Sequence, residues 1–233
     1  QMWEFVESVQ GVADACHSIT LKDNPDDATP IIAGNVSFYN ESSNGAIPPS
    51  PIVSCLGRLK DVTKAVPMHF QTSDSSLIMA GERRDELGGS VFYSLHDELG
   101  ANVPQPNLEE VKNQIFALTD CINEGLVLSC HDIADGGVAS TLAEMTFGNG
   151  IGCDITINSD LPTDKILFSE TGGFVLEVSP ENADAVLSNF SKYESNVFQI
   201  GTTGSNTIQI NRVVDIVVSD VKETWANGLR EKL

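Results

Sequence analysis

Three short segments hold residues whose types and spacing suit phosphate and metal chemistry. The first is Gly34-Asn35-Val36-Ser37-Phe38-Tyr39-Asn40-Glu41. A strand that ends in glycine lets a ligand approach the backbone closely. Asn35 and Ser37 alternate along the chain, so an extended backbone turns both to one side. An Asn carbonyl is a hard oxygen ligand usable by Mg²⁺, and a Ser hydroxyl can bond a phosphate or amide oxygen. The same residues also suit a polar β-turn closed by an Asx bond.

The second segment is Ser129-Cys130-His131-Asp132-Ile133-Ala134-Asp135-Gly136-Gly137-Val138-Ala139. Here a buried strand should run through Asp132 and Asp135 into Gly136 and Gly137 and then a helix. Backbone N–H groups at such a helix start favour an anion, and two carboxylates can hold Mg²⁺ bound to phosphates. The alternative is that Asp135 only caps the helix while His131 and Asp132 occupy a solvated turn. The third segment, Leu167-Phe168-Ser169-Glu170-Thr171-Gly172-Gly173-Phe174, offers one acid and a glycine pair. It reads either as a phosphate or metal turn at Glu170 or as a tight turn with glycine at positive φ. The charge run Glu82-Arg83-Arg84-Asp85-Glu86 reads as a solvated turn. No dinucleotide fingerprint, P-loop, HExxH or GxSxG occurs.

The elements that must position these residues follow from periodicity. Met2, Phe5, Val9, Val12 and Cys16 recur at helical spacing, so the chain opens in an amphipathic helix. That abrupt opening predicts a fragment of a longer chain. Short strands are expected over 30–33, 52–59 and 76–80, with a domain boundary near 68–72. Beyond it strands and helices alternate. Asn107 with Glu110 makes a capping box for a helix that ends near Gly125. A strand is expected over 126–130, a helix over 136–147, and strands over 151–157 and 174–178. Pro180 should open a helix to about residue 193. Strands over 197–200, 207–211 and 213–217 come next, the last two as a hairpin. Ser219 or Asp220 should cap a final helix. The fold class expected is α+β, with sheets covered by helices.

Composition narrows the function. The 233 residues hold 33 Asp plus Glu against 13 Lys plus Arg, a formal net charge of -20. Such a chain is repelled by phosphate backbones and by anionic lipid, so neither nucleic acid nor a membrane is an expected partner. No apolar run approaches the roughly 18 residues that a membrane span needs. Cys16, Cys55, Cys121, Cys130 and Cys153 are far apart and form no CxxC. They read as buried, reduced thiols of a cytoplasmic protein.

Together the three segments resemble one family. The Gly34–Glu41 stretch is similar to the GNVSxYNE motif of phosphoribosylformylglycinamidine synthase, the large synthetase of purine biosynthesis. His131-Asp132-Ile133-Ala134-Asp135-Gly136-Gly137 resembles that enzyme's HDxSDGG turn, a motif shared with the wider aminoimidazole ribonucleotide synthetase superfamily. Leu87-Gly88-Gly89-Ser90 and Leu167-Phe168-Ser169-Glu170 fit the same order.

The resemblance implies part of an AIR synthetase-like N-type domain over 1–70 and a complete C-type domain over 71–233. It implies an ATP-dependent carbon–nitrogen ligase. ATP activates the amide oxygen of formylglycinamide ribonucleotide through an iminophosphate, and glutamine-derived ammonia displaces phosphate. The cofactors implied are Mg²⁺ and ATP. Residue by residue, the family pattern gives ATP contact to Gly34, Mg²⁺ ligation to Asn35 and substrate contact to Ser37. Asp132, Asp135, Gly136, Gly137 and Glu170 would line an auxiliary nucleotide or metal site. Implied partners are a glutaminase subunit or domain, a small bridging subunit, the missing N-terminal half of the enzyme, and a second copy in a homodimer. The chain alone would then be inactive. Two departures stand out: the acidic insertion over 22–29, and Thr171-Gly172-Gly173 where the catalytic half has a Ser-Gln pair, which puts substrate binding at Glu170 in doubt. The competing readings are a non-catalytic scaffold of the same fold and a thiamine-monophosphate kinase-like phosphotransferase.

Overall fold

The computed structural model describes residues 2–35, 41–47 and 50–228. Helix α1 (Met2–Ser18) opens the described chain, and a minimal hairpin pairs β1 (Glu41–Ser42) with β2 (Gly45–Ala46). From β3 (Ser76–Ala80) onward the chain alternates between strand and helix. The strands are β4 (Val127–Asp132), β5 (Cys153–Ile155), β6 (Phe174–Val178), β7 (Val197–Thr203), β8 (Thr207–Ile210) and β9 (Val214–Val217). The helices are α2 (Val91–Ser94), α3 (Leu108–Glu124), α4 (Gly137–Thr146), α5 (Thr163–Phe168), α6 (Ala183–Lys192) and α7 (Val218–Asn227). β3 to β9 form one sheet in the order β4-β6-β3-β7-β5-β8-β9. Every pairing is antiparallel except β5 with β8. This is the mixed helix-and-sheet class that the sequence predicts. No described helix is long and apolar enough to cross a membrane.

The β6-β3 centre of the sheet is buried on both faces, and β3 shows why. Leu77 and Met79 join a core with Val138, Leu142 and Met145 of α4. Ile78 and Ala80 point the other way, to Ala117 and Cys121 of α3 and to Val186 and Phe190 of α6. Period-two alternation thus feeds two apolar layers from one strand. Burying one such aliphatic side chain contributes roughly 1.5–3 kcal/mol. A carboxylate lies inside this packing. Glu177 of β6 is fully buried and accepts hydrogen bonds from the amides of Gln71 and Thr72 and from the Ser129 hydroxyl, at 2.7–3.0 Å. It pins the chain leading into β3.

Ends of elements follow local chemistry. Asn107 Oδ1 accepts from the Glu110 amide, as a cap should. The reciprocal half of the capping box is absent: Glu110 pairs with Arg84 at 2.7 Å and accepts from Gln114. Gly125 ends α3 at φ 75°, a conformation that favours glycine. The hairpin of β8 and β9 forms in the expected place.

Several expectations fail. Residues 30–33 and 52–59 are irregular and exposed, with Ile32 at 75% and Ile52 at 95% exposure. A strand requires a neighbour for its backbone hydrogen bonds, and no sheet pairing is formed by either segment. α1 forms as predicted, but none of its residues is buried. α7 begins before Ser219 and Asp220, and no side chain caps it. All five cysteines are free, but only Cys121 and Cys153 are buried, and Cys55 is exposed. The run at 82–86 is not a solvated turn: Arg83 and Glu86 are both buried.

Candidate functional site

Gly34 and Asn35 sit on exposed, irregular backbone. Among the described residues beyond its chain neighbours, no heavy atom lies within 4 Å of where a Cβ on Gly34 would be. Ser37 lies outside the described residues. Sequence reasoning expected a strand over 30–33 to run into this segment, and the described residues 30–35 form none.

The second and third segments do meet. Strand β4 ends at Asp132, and α4 begins after Gly136, which sits at φ 78° as the helix cap. Gly136, not Asp135, therefore occupies the cap position, and no side chain of the preceding turn caps the helix. Gly137 also has positive φ, and a Cβ there would stand 2.6 Å from the Leu167 carbonyl oxygen. Only glycine lets the start of α4 come this close to the end of α5. Asp132 and Asp135 are exposed.

Glu170 reaches into this junction. Its Oε1 accepts from the Gly136 amide at 2.9 Å and from the Val91 amide at 2.8 Å. One carboxylate oxygen thus joins the turn before α4 to the first residue of α2. The Ser90 hydroxyl caps α2 by accepting from the Tyr93 amide at 3.2 Å. The two amides that meet at this junction are thus satisfied by a side chain of the same protein.

The buried charge run fixes Glu170 from behind. The Arg83 guanidinium donates to the carbonyls of Thr171 and Gly172 at 2.6 and 2.9 Å. Burial, helped by the neighbouring Arg84, lowers its pKa to about 10, so it stays charged at neutral pH. Glu86 accepts from the Thr171 hydroxyl at 2.6 Å, and the Ser169 hydroxyl donates to the Glu86 carbonyl. Asp85 pairs with Lys165 at 2.5 Å, and Phe92 stacks on Phe168 with ring centroids 4.5 Å apart. Sequence reasoning missed Arg83 and Glu86. Their signal was available: an apolar strand, 76–80, runs directly into them.

His131 is also engaged. Its ring nitrogens lie 3.1 Å from Asp132 Oδ1 and 2.9 Å from Glu144 Oε2. It reads as a bridge between β4 and α4. Among the described residues no three His, Cys, Asp or Glu side chains converge as a metal cluster. Asp132 and Asp135 are two exposed carboxylates on this turn, short of such a cluster. Within this strand the Cys130 thiol is half-buried, and its desolvation, with Asp132 nearby, pushes its pKa up to about 12, away from the thiolate.

Known proteins resemble this chain. The family model described as the C-terminal domain of AIR synthase related proteins matches residues 72–210. Phosphoribosylformylglycinamidine synthase subunit PurL of Methanothrix thermoacetophila is 38% identical over 99% of this chain and 31% of its own length. The chain thus spans about a third of the length of the curated relatives it matches. A structure titled Thermotoga maritima PurL complexed with FGAR covers 69% of this chain and 30% of that one, with TM-score 0.59 and 19% identity. Another, titled as the same protein complexed with ATP, covers 69% and 28%, with TM-score 0.55 and 17% identity. At that identity the two structures speak to the fold.

Proposed function

Because this chain belongs to the AIR synthase related family, we propose that it is one part of a formylglycinamidine ribonucleotide synthetase. The observation that carries this reading is the 38% identity to a PurL subunit over 99% of the chain. The Gly34–Glu41 stretch supports it from within the sequence. In this reading, residues 1–70 belong to an N-type domain and residues 71–233 to a C-type domain.

The reaction joins ammonia nitrogen to the activated amide carbon of formylglycinamide ribonucleotide, with ATP split to ADP and phosphate. Catalysis of this kind is mostly positioning and charge stabilisation. Gly34 leaves its backbone open to the nucleotide. Asn35 offers a carbonyl oxygen to Mg²⁺, which would neutralise the phosphates. Ser37 offers a hydroxyl to the substrate. Asp132, Asp135, Gly136 and Gly137 form a second, auxiliary nucleotide or metal turn. The rest of the active centre comes from further synthetase polypeptide, and the ammonia from a glutaminase partner with a small bridging subunit.

The test is a graft. This chain replaces the matching stretch of the Methanothrix thermoacetophila relative, and ADP release is measured with Mg-ATP, ammonium and formylglycinamide ribonucleotide. Substrate-dependent turnover by the graft, with none by the isolated chain, is expected. A folded graft without turnover would contradict the reading.

A further inference from the structure

We propose that the loop over 19–29 is a clasp onto α3 and the end of α6, and that its Lys22 is a positioning residue for the run bearing Gly34 and Asn35. The inference deepens the reading of that run as a nucleotide and Mg²⁺ contact and rests on it.

The loop holds the acidic insertion over 22–29, and it is a closed unit. The Thr29 amide donates to the Cys16 carbonyl at 2.8 Å, and the Thr29 hydroxyl donates to the Ile19 carbonyl, so the loop returns to the end of α1. Inside it, the Asn24 amide donates to the Leu21 carbonyl and the Asp27 amide to the Asn24 carbonyl, both at 3.1 Å. A loop whose ends are tied in this way behaves as one compact surface unit. Lys22 is the only cation of residues 19–29, beside Asp23, Asp26 and Asp27. Its ammonium bonds the Asp120 carboxylate at 2.6 Å and the Phe116 carbonyl, both on α3. It also stands 5.5 Å from the Phe116 ring centroid and 5.3 Å from that of Tyr193, contacts that favour a cation. Tyr193, just past α6, donates its hydroxyl to the same Asp120 carboxylate at 2.6 Å. One cation thus joins the loop to two helices.

Without Lys22 the three carboxylates of the loop would meet Asp120 as like charges, so its loss turns attraction into repulsion. Asn35 follows Thr29 by six residues, a stretch that spans at most roughly 20 Å. The clasp therefore fixes where the run over 30–35 starts and bounds how far Asn35 can stray. Chemistry that rests on positioning gains from such a tether.

The test measures 15N order parameters of the backbone amides from Ile31 to Asn35 in the labelled chain. In the wild-type chain they should stay above about 0.6, and in Lys22→Met they should fall below it while those of β3 hold. Lys22→Arg keeps the charge and should restore the wild-type values. Asp120→Asn removes the charge from the other side, and serves if Lys22→Met does not fold; a smaller fall is expected. Wild-type amides already below about 0.6 would overturn the proposal. So would a folded Lys22→Met chain whose amides keep the wild-type values. In the grafted synthetase, Lys22→Met should raise the apparent KM for Mg-ATP at least about fivefold, more than it lowers kcat, with recovery in Lys22→Arg. An unchanged KM would remove Lys22 from positioning. A graft that is inactive with Lys22 in place would sink the synthetase reading, while the order parameters still decide the clasp.

Discussion

Phe70 is the first buried residue of the described chain, and the apolar residues on its two sides behave differently. Ile31, Ile32 and Ile52 are 68%, 75% and 95% exposed, whereas Ile78, Ile155 and Ile208 are at most 1% exposed. The side chains are the same. What differs is the neighbour. After Phe70 each strand has a strand beside it, and the buried strands β3 and β6 have apolar layers over both faces. Before Phe70, α1 packs against α3 with none of its own residues buried, and the chain is clasped there by Lys22. The Lys22 ammonium pairs with Asp120 at 2.6 Å, donates to the Phe116 carbonyl, and stands over the Phe116 and Tyr193 rings. An apolar pattern reports that a face wants cover; it does not report which surface supplies the cover.

The contrast can be broken most forcefully in the core. Phe190→Ala should cost about 3–5 kcal/mol in urea unfolding, as expected for a large cavity, while Ile32→Ala should change stability by less than about 0.5 kcal/mol. Equal effects would erase the distinction between the two regions. Next in size is Glu177→Ala. It leaves two amides and one hydroxyl without their acceptor, and a loss of about 3 kcal/mol is expected in the same assay. Gly137→Ala forces a side chain into positive φ against the Leu167 carbonyl; about 2 kcal/mol should be lost.

The smallest effect sharpens the comparison at the clasp. Burial works to raise the Asp120 pKa, but hydrogen bonds from Lys22 and Tyr193 outweigh it, and the net shift is downward. A carboxylate with a lowered folded-state pKa stabilises the fold above its unfolded value. That contribution disappears as pH falls through the lowered value, here below 3.8. Acid should therefore release α1 from α3 before the sheet opens. Hydrogen exchange by α1 amides should rise first, and Lys22→Met should bring the same release to neutral pH.

Much of the scaffold was legible in the sequence because its signals are local. Alternation in 76–80, the Asn107 cap and Gly125 each specify their own geometry within a few residues. The strands expected over 30–33 and 52–59 were misread, because pairing is not local and no local signal shows whether a partner exists. The candidate site divides in the same way. The glycine pair at 136–137 announced a sharp turn into a helix. That Glu170 would fill it, 34 residues onward, and that Arg83 and Glu86 would support Glu170 from a buried position, depends on chain segments brought together by the sheet. Asn35 was legible only through its motif, since nothing in its local periodicity sets it apart from a turn.

The exposed segment before Phe70 is where the account places the chemistry, and Asn35 is its sharpest point. The most direct measurement is the turnover of the grafted synthetase with Asn35→Ala at limiting Mg²⁺. The account predicts a loss of at least about tenfold, the scale of one lost ligand contact of roughly 1.4 kcal/mol, with partial recovery as Mg²⁺ is raised. Unchanged kinetics at limiting Mg²⁺ would remove Asn35 from the site and contradict it.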